Sequence, residues 1–532
     1  MRKAFGVIRR ILLVLVLIPV GVVGLVNLAL VFVLASNYLH QTRYVENYTY
    51  DPDRLYPPEV LQEDFAIFRG ALEESHGALY RYTPQEELDT AFDAAAEKLD
   101  EPMTELAFVK VLAPVVDLIR DGHTLLRLPV YHSGSFDYSE QGLLPLDLAA
   151  TETGIYMERD GSAEEVIPPG SEVLSINGRA MSELKDEMLS LLKTVDGHTE
   201  QTKLRAINNR DFLTDALGYL QNFPETFEVT YREPGSEEKK NATLQALTYY
   251  ESGDNITERY GEPADSTAGV SLTWQDDVPV LEIENFVEGS YNDYIDTLKN
   301  VFAEIKQRGA EQLVIDFREN DGGSVKRANL LFAYLHPEPS QKLEEYSAKA
   351  VRSDYLKYTE TPWFHRWQNL LLSSETEEFS FSYRPETGRW WRDESNYSSH
   401  YKIEEIPISA PFAGQVYLLL SGHVISASAE LATMAEERLP NLITVGQETS
   451  GAYQGATGGY FYNLILPNTH IGVAVPRAKF VLAVEGDNPP ECGVLPDHEV
   501  WPTQEDIAAG VDTELAFTLD LIKQTSENAA QQ

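Results

Sequence analysis

One cysteine, Cys492, stands in 532 residues. No intrachain disulfide can form, and a thiol-rich zinc site is excluded. Basic residues are scarce too: 42 Lys and Arg face 84 Asp and Glu, a formal charge of −42. A field of that sign repels phosphate backbones and anionic headgroups, which excludes nucleic acid as a partner and adhesion of the bulk surface to anionic lipid. No internal repeat or low-complexity tract appears, and the 11 histidines show no close metal-ligand spacing, so neither a metal nor a cofactor is expected. What remains is globular in balance, 43% hydrophobic and 24% charged. The length allows about three or four domains.

Long apolar runs are also missing, with one exception. Arg2, Lys3, Arg9 and Arg10 precede an uncharged stretch from Ile11 to Ala35. That exceeds the roughly 20 residues a helix needs to cross a bilayer and the roughly 7–15 of a signal-peptide core. The ending Val33-Leu34-Ala35-Ser36 is a poor cleavage site. The expectation is therefore a cytoplasmic basic segment at 1–10 and an uncleaved single-pass anchor at 11–36. The basic flank predicts that everything beyond it lies outside the cytoplasm, attached to the cell membrane. Without residues 1–36 the chain holds 38 basic and 84 acidic residues, a balance of −46.

Residues 37–55 are polar and tyrosine-rich and read as a linker. Helical spacing follows in a domain at 56–130, as in Val60, Leu61, Phe65, Phe68 and Leu72. It ends in Asp121-Gly122-His123-Thr124. Residues 140–250 turn to short strands, with a Pro168-Pro169-Gly170 turn, an Asn177-Gly178 hairpin turn and a helical insertion near 181–222. From 265 to 525 apolar strands (Val278–Ile283, Gln312–Phe317, Val416–Leu420, Leu442–Val445) alternate with helical segments, the rhythm of an α/β core with a largely parallel sheet. An aromatic-rich insertion at 338–408 interrupts it and reads as a self-packed subdomain.

Three places could carry chemistry. Asp316-Phe317-Arg318-Glu319-Asn320-Asp321-Gly322-Gly323 links an apolar strand to a helix, and open α/β sheets put their sites at such strand ends. Its glycines could turn backbone N–H groups toward an oxyanion or a phosphate, and a plain structural turn fits equally. Ser421-Gly422-His423-Val424-Ile425-Ser426-Ala427-Ser428 places serines where a helix begins; they suit stabilisation of developing negative charge, or simple capping. His123, beside Gly122 at the end of a helical run, suits a general base presented across a cleft.

Together these segments resemble the serine peptidases of the C-terminal-processing (tail-specific) and tricorn-core family. "DGHT", "IPPGSEVLSING", "VIDFRENDGG", "ISASAEL", "VGQETSGAYQG", "LPNTHIGVAVP" and "GVLPDHEV" occur in that family's order over residues 56–505. The resemblance implies a helical domain, a PDZ-like β domain at 140–250 and a crotonase-like α/β peptidase core with a partly parallel sheet. It implies Ser426 as nucleophile, with Ser428 the alternative, and an oxyanion hole from the N–H of Ala427 and of Gly322 or Gly323. Gly142-Leu143-Leu144 would hold a peptide's terminal carboxylate by strand addition. Relatives of the Ser-Lys type carry a lysine after the turn that matches Gly446-Gln447-Glu448-Thr449; here there is none, so the resemblance points to the branch in which a histidine, here His123, is the base. The acid orienting it would be Glu491, with Glu485 the alternative. The expected activity is hydrolysis of peptide bonds in extracytoplasmic proteins or peptides, with no cofactor. A catalytically inactive scaffold binding peptides through the PDZ-like groove is the other reading of the same residues.

Overall fold

The computed structural model describes residues 48–132, 136–261, 266–338, 340–351, 353–359, 381–392, 402–403, 408, 410–486, 488–489 and 491–530. The anchor expected at 11–36 lies outside them, as do the basic segment and most of the linker. Among the described residues no helix is long and apolar enough to cross a membrane.

The part of the molecule from Val270 to Glu499 is built on a six-stranded sheet. Its order is His498–Glu499, Leu442–Gly446, Gln415–Leu420, Gln312–Asp316, Val278–Ile283 and Val270–Gln275, parallel except for the last strand. Successive side chains of a strand point to opposite faces, so a strand covered on both sides must be apolar throughout. Leu313, Ile315, Leu418 and Leu420 enter the core beneath the helices Tyr291–Arg308, Val325–Leu335 and Ala427–Arg438. Val314, Tyr417 and Leu419 point the other way, onto Ile522 of the helix Thr513–Ala530. The alternation read from the sequence thus gives an α/β core of the expected kind, and the four strands read from it differ by at most one residue at either end.

Three helices, Pro58–Ser75, Gln85–Ala96 and Glu105–Ile119, form the helical part. They do not close a core of their own: Phe68, Leu112 and Val116 share one cluster with Tyr462, Leu464, Val473 and Val475 of the hairpin Thr457–Ile465/Gly472–Leu482. The strand Leu125–Arg127 pairs with Gly472–Leu482, and so does Leu343–Ala348 from the expected insertion. Within that insertion Leu343–Ala348, Arg389–Arg392 and Phe381–Arg384 extend this sheet, whereas Ser340–Gln341 and Lys402–Ile403 pair with each other. Pairing at Leu125 holds the preceding His123 over the core. The tyrosine-rich linker also docks at its end: Tyr48 is buried, and its hydroxyl donates to Glu105 at 2.9 Å.

The third sheet, Leu146–Ala150, Ile155–Asp160, Glu172–Ile176, Thr226–Arg232 and Lys239–Gln245, is antiparallel and carries the helices Met181–Leu192 and Arg210–Leu220. Asn177 and Gly178 both have positive φ, the conformation a two-residue Asn-Gly hairpin requires. Between the two helices runs a 3₁₀ segment, Glu200–Asn208, beside the outer strand Leu146–Ala150; the Ala150 N–H donates to Asn208 Oδ1 at 2.9 Å.

Candidate active site

The Asp316 and Leu420 ends of two adjacent parallel strands lead into the two loops singled out above. Asn320 fastens them. Its side chain is fully buried, donates to Ile283 O at 2.9 Å and accepts the Gly322 N–H at 2.9 Å. Its own carbonyl accepts the Ser428 hydroxyl at 2.8 Å, and Ile425 O lies 2.7 Å from the same hydroxyl. Ser428 is therefore buried and committed to holding loop against loop.

Ser426 differs from it in every respect. It sits at the N-cap of the helix Ala427–Arg438 with φ 63° and ψ −131°, a backbone conformation non-glycine residues rarely take. Its side chain is half-exposed, and no hydrogen bond among the described residues engages Oγ. The strain is fixed from outside. A Cβ on Gly322 would lie 2.7 Å from Ser426 Cβ and 3.1 Å from Ala427 N, and one on Gly451 would lie 3.5 Å from Ser426 N. Both glycines allow backbone to close on the serine. Of the two glycines expected to offer N–H groups, Gly322 donates to Asn320, whereas the N–H groups of Gly323 and Ala427 have no acceptor among the described residues. Ala427 follows Ser426 at a helix N-terminus, where free N–H groups favour an anion, and Gly323 follows Gly322, which packs on Ser426.

His123 comes in from the helical part. A Cβ on Gly122 would lie 2.4 Å from Ile425 Cδ1, so the histidine turn rests on the residue before Ser426. Nδ1 is buried without a hydrogen-bond partner, and the Nε2 side borders Gly458, whose Cβ would stand 3.6 Å away. The Phe461 ring lies 6.0 Å off, centroid to centroid.

Sequence reasoning missed the carboxylates beside this imidazole. Asp121, His123 and Asp196 bring their side-chain nitrogen and oxygen atoms within 4.8 Å of one another. Asp121 accepts the His123 N–H at 2.9 Å, the Thr124 hydroxyl at 3.2 Å and the Thr457 hydroxyl at 2.6 Å, with His76 Nε2 at 3.6 Å. Asp196, 1% exposed, accepts the Gly122 N–H at 2.8 Å through Oδ1, and its Oδ2 has only a 3.4 Å contact with Ala452 N. Burial and the adjacent Asp121 push Asp196 up to about 6, partly opposed by His123. One signal could have revealed it: Asp-Gly-His-Thr stands at 121–124 and again at 196–199. The same three side chains could in principle hold a cation, which would compete with the donors already on Asp121.

No hydrogen bond among the described residues joins the side chain of either expected acid to His123. Glu485 is exposed. Glu491 is half-buried and meets the region through its backbone, its carbonyl accepting the His198 N–H at 2.8 Å. In the third sheet, Leu143 exchanges both backbone hydrogen bonds with Leu247, at 2.7 and 3.2 Å, and Leu143 and Leu144 are buried. The Leu143 N–H is thus not free to meet a carboxylate.

Residues 277–500 match the model of peptidase family S41. No curated protein matches the sequence. Among solved structures, mature CPAF is 17% identical, with a TM-score of 0.55 over 85% of this chain and 94% of that one. CPAF complexed with lactacystin is 15% identical, with a TM-score of 0.57 over 88% and 98%. Their fold is shared across nearly the whole described chain, helical part and third sheet included. The α/β core with both of its loops, residues 277–500, thus carries the match to peptidase family S41, and with it the support for a serine-type peptidase.

Proposed function

We propose that the chain is a membrane-anchored peptidase that cleaves extracytoplasmic proteins or peptides by a Ser-His mechanism. Ser426 Oγ attacks the scissile carbonyl carbon while a ring nitrogen of His123 takes the hydroxyl proton. The carbonyl oxygen becomes an oxyanion held by the N–H groups of Gly323 and Ala427. Collapse expels the amine, which receives the proton from the imidazolium, and water repeats the sequence on the acyl-enzyme.

The observation that carries this reading is the contrast between two serines two positions apart: Ser426 is strained, half-buried and unbonded among the described residues, while Ser428 is buried and hydrogen-bonded. The basic flank and apolar run before residue 36 support the anchor and the outward orientation.

A fluorophosphonate probe should label the protein, and Ser426→Ala and His123→Ala should both abolish labelling. Peptide binding without labelling or cleavage would leave the inactive scaffold as the correct reading. Labelling lost only in Ser428→Ala would move the nucleophile by two positions. Protease accessibility on intact cells tests the orientation, and digestion of the catalytic body only after lysis would overturn it.

A further inference from the structure

The segment between the helices Met181–Leu192 and Arg210–Leu220 belongs by sequence to the third sheet, yet it is fastened to the peptidase site at nearly every residue. Asp196 N–H donates to Ser450 O at 3.0 Å, and the Thr199 hydroxyl donates to Asp196 O at 2.8 Å. Gly197 N–H donates to Arg120 O at 2.9 Å, and a Cβ on Gly197 would fall 2.1 Å from Glu491 O. Farther along, a Cβ on Gly422 of the Ser426 loop would meet Thr202 O at 2.3 Å. Four chain regions, around 120, 422, 450 and 491, hold this segment with Asp196 facing His123.

We infer that Asp196 is the positioning residue of His123: it accepts the Nδ1 proton, fixes the ring so that Nε2 faces Ser426, and stabilises the imidazolium formed when Nε2 takes the serine proton. This rests on the Ser-His reading above and supplies the acid that Glu491 and Glu485 were expected to supply. Three observations converge on it. Nδ1 of His123 is buried and unpartnered, so a donor there lacks an acceptor. Asp121 already accepts three protein donors, whereas among the described residues Asp196 Oδ2 has only the long Ala452 contact. The Gly122 N–H on Oδ1 ties the Asp196 carboxylate to the residue next to the imidazole. A carboxylate in this place selects the tautomer with the proton on Nδ1, the one that leaves Nε2 free as a base. No proton is transferred to Asp196 during the reaction; it moves from Ser426 Oγ to Nε2 and on to the leaving amine.

The ionisable groups facing Asp196 are Asp121 and His123 from the turn before Leu125, and Arg81 and Tyr82 from the loop after the first helix, with His76 beyond Asp121 and Glu491 acting on Tyr82. Only ionised Asp196 can accept from Nδ1, so the acid limb of log kcat/KM should differ in position or slope between the parent protein and Asp196→Asn.

Asp196→Asn keeps an oxygen for the Gly122 N–H and so keeps the clamp. Its kcat should fall on the order of 10³–10⁴-fold with KM little changed. The result that overturns the inference is a kcat and an acid limb in Asp196→Asn like the parent's, or the loss and the acid-limb change appearing in Glu491→Gln instead. Should Asp196→Asn not fold, proton NMR of the parent protein decides: a far-downfield His123 Nδ1 proton supports the inference, and its absence in a protein that still labels overturns it. Ser426→Ala separates the two levels. Full activity in that variant sinks the peptidase mechanism itself, while its inactivity beside an unaffected Asp196→Asn sinks only the role of Asp196.

Discussion

The ion pair between Lys342 and Glu430 ties the helix that starts at Ser426 to the antiparallel sheet, and a double-mutant cycle on it tests that packing. Nζ lies 2.6 Å from Glu430 Oε2, the two side chains being 2% and 10% exposed, and it also approaches Asn329 Oδ1 at 3.3 Å. Glu430 is one helical turn beyond Ser426, and its N–H donates to Ser426 O at 2.9 Å. Lys342 immediately precedes the strand Leu343–Ala348. Removing the lysine leaves a carboxylate shielded from water with its cation gone, a loss of about 3–5 kcal/mol. Removing both charges deletes both desolvation penalties as well as the attraction. Lys342→Met together with Glu430→Gln should therefore lose far less than the sum of the single changes, with a coupling of about 2–3 kcal/mol. The assay is urea unfolding followed by tryptophan fluorescence and circular dichroism together, because coincident transitions are needed before a single free energy has meaning in a chain of this size. Lys342→Met should also slow fluorophosphonate labelling, since the first turn of the helix loses a restraint. Additive single losses, or single losses below about 1 kcal/mol, would refute the reasoning: the pair would then behave as a solvated bridge.

Ser426→Gly should stabilise the protein by roughly 1 kcal/mol while abolishing labelling, because glycine takes φ 63° without strain; Ser428→Ala should do the reverse, costing about 1–3 kcal/mol through the unsatisfied carbonyl of Asn320 and keeping the label. Urea midpoints read beside labelling check both, and a destabilised Ser426→Gly would contradict the strain. Burial lifts Asp215 to about 7, with the Tyr138 hydroxyl on Oδ2 at 2.7 Å opposing and Oδ1 lacking any partner. The folded state thus favours the protonated acid, so the parent should lose more stability as pH rises from the usual carboxylate range through about 7 than Asp215→Asn does; parallel urea curves across that window would count against it. Phe461 is 41% exposed beside His123, and Phe461→Ala should raise KM for apolar peptides about tenfold with little change for short polar ones, measured by steady-state cleavage; an equal rise for both would point to a collapse of the strand instead.

Periodicity reports which face a residue takes, and that part of the molecule was legible. Leu313 and Ile315 against Val314, or Leu418 and Leu420 against Tyr417 and Leu419, separate into two cores as their spacing requires. The loops at the ends of those strands were legible for the same reason, since strand ends fix where a site can be. Choosing between Ser426 and Ser428 was not a matter of pattern. Both are serines at the start of one helix, and only the positive φ of one and the two carbonyls around the other distinguish them. Asp196 was harder still. It stands 74 positions after Gly122, in a stretch that reads as part of another domain's helices, and it reaches the histidine turn through a bond from backbone to side chain. Such bonds have no period. The docking of Tyr48 on Glu105 escaped for a related reason: a polar, tyrosine-rich stretch resembles a solvated linker until a buried carboxylate needs its hydroxyl. Where segments distant in sequence meet, burial creates the demand, and the partner is whichever donor or acceptor the fold brings within reach. The site is such a place: its serine comes from a strand end, its histidine from a helix end, and the carboxylate beside it from a segment clamped between them.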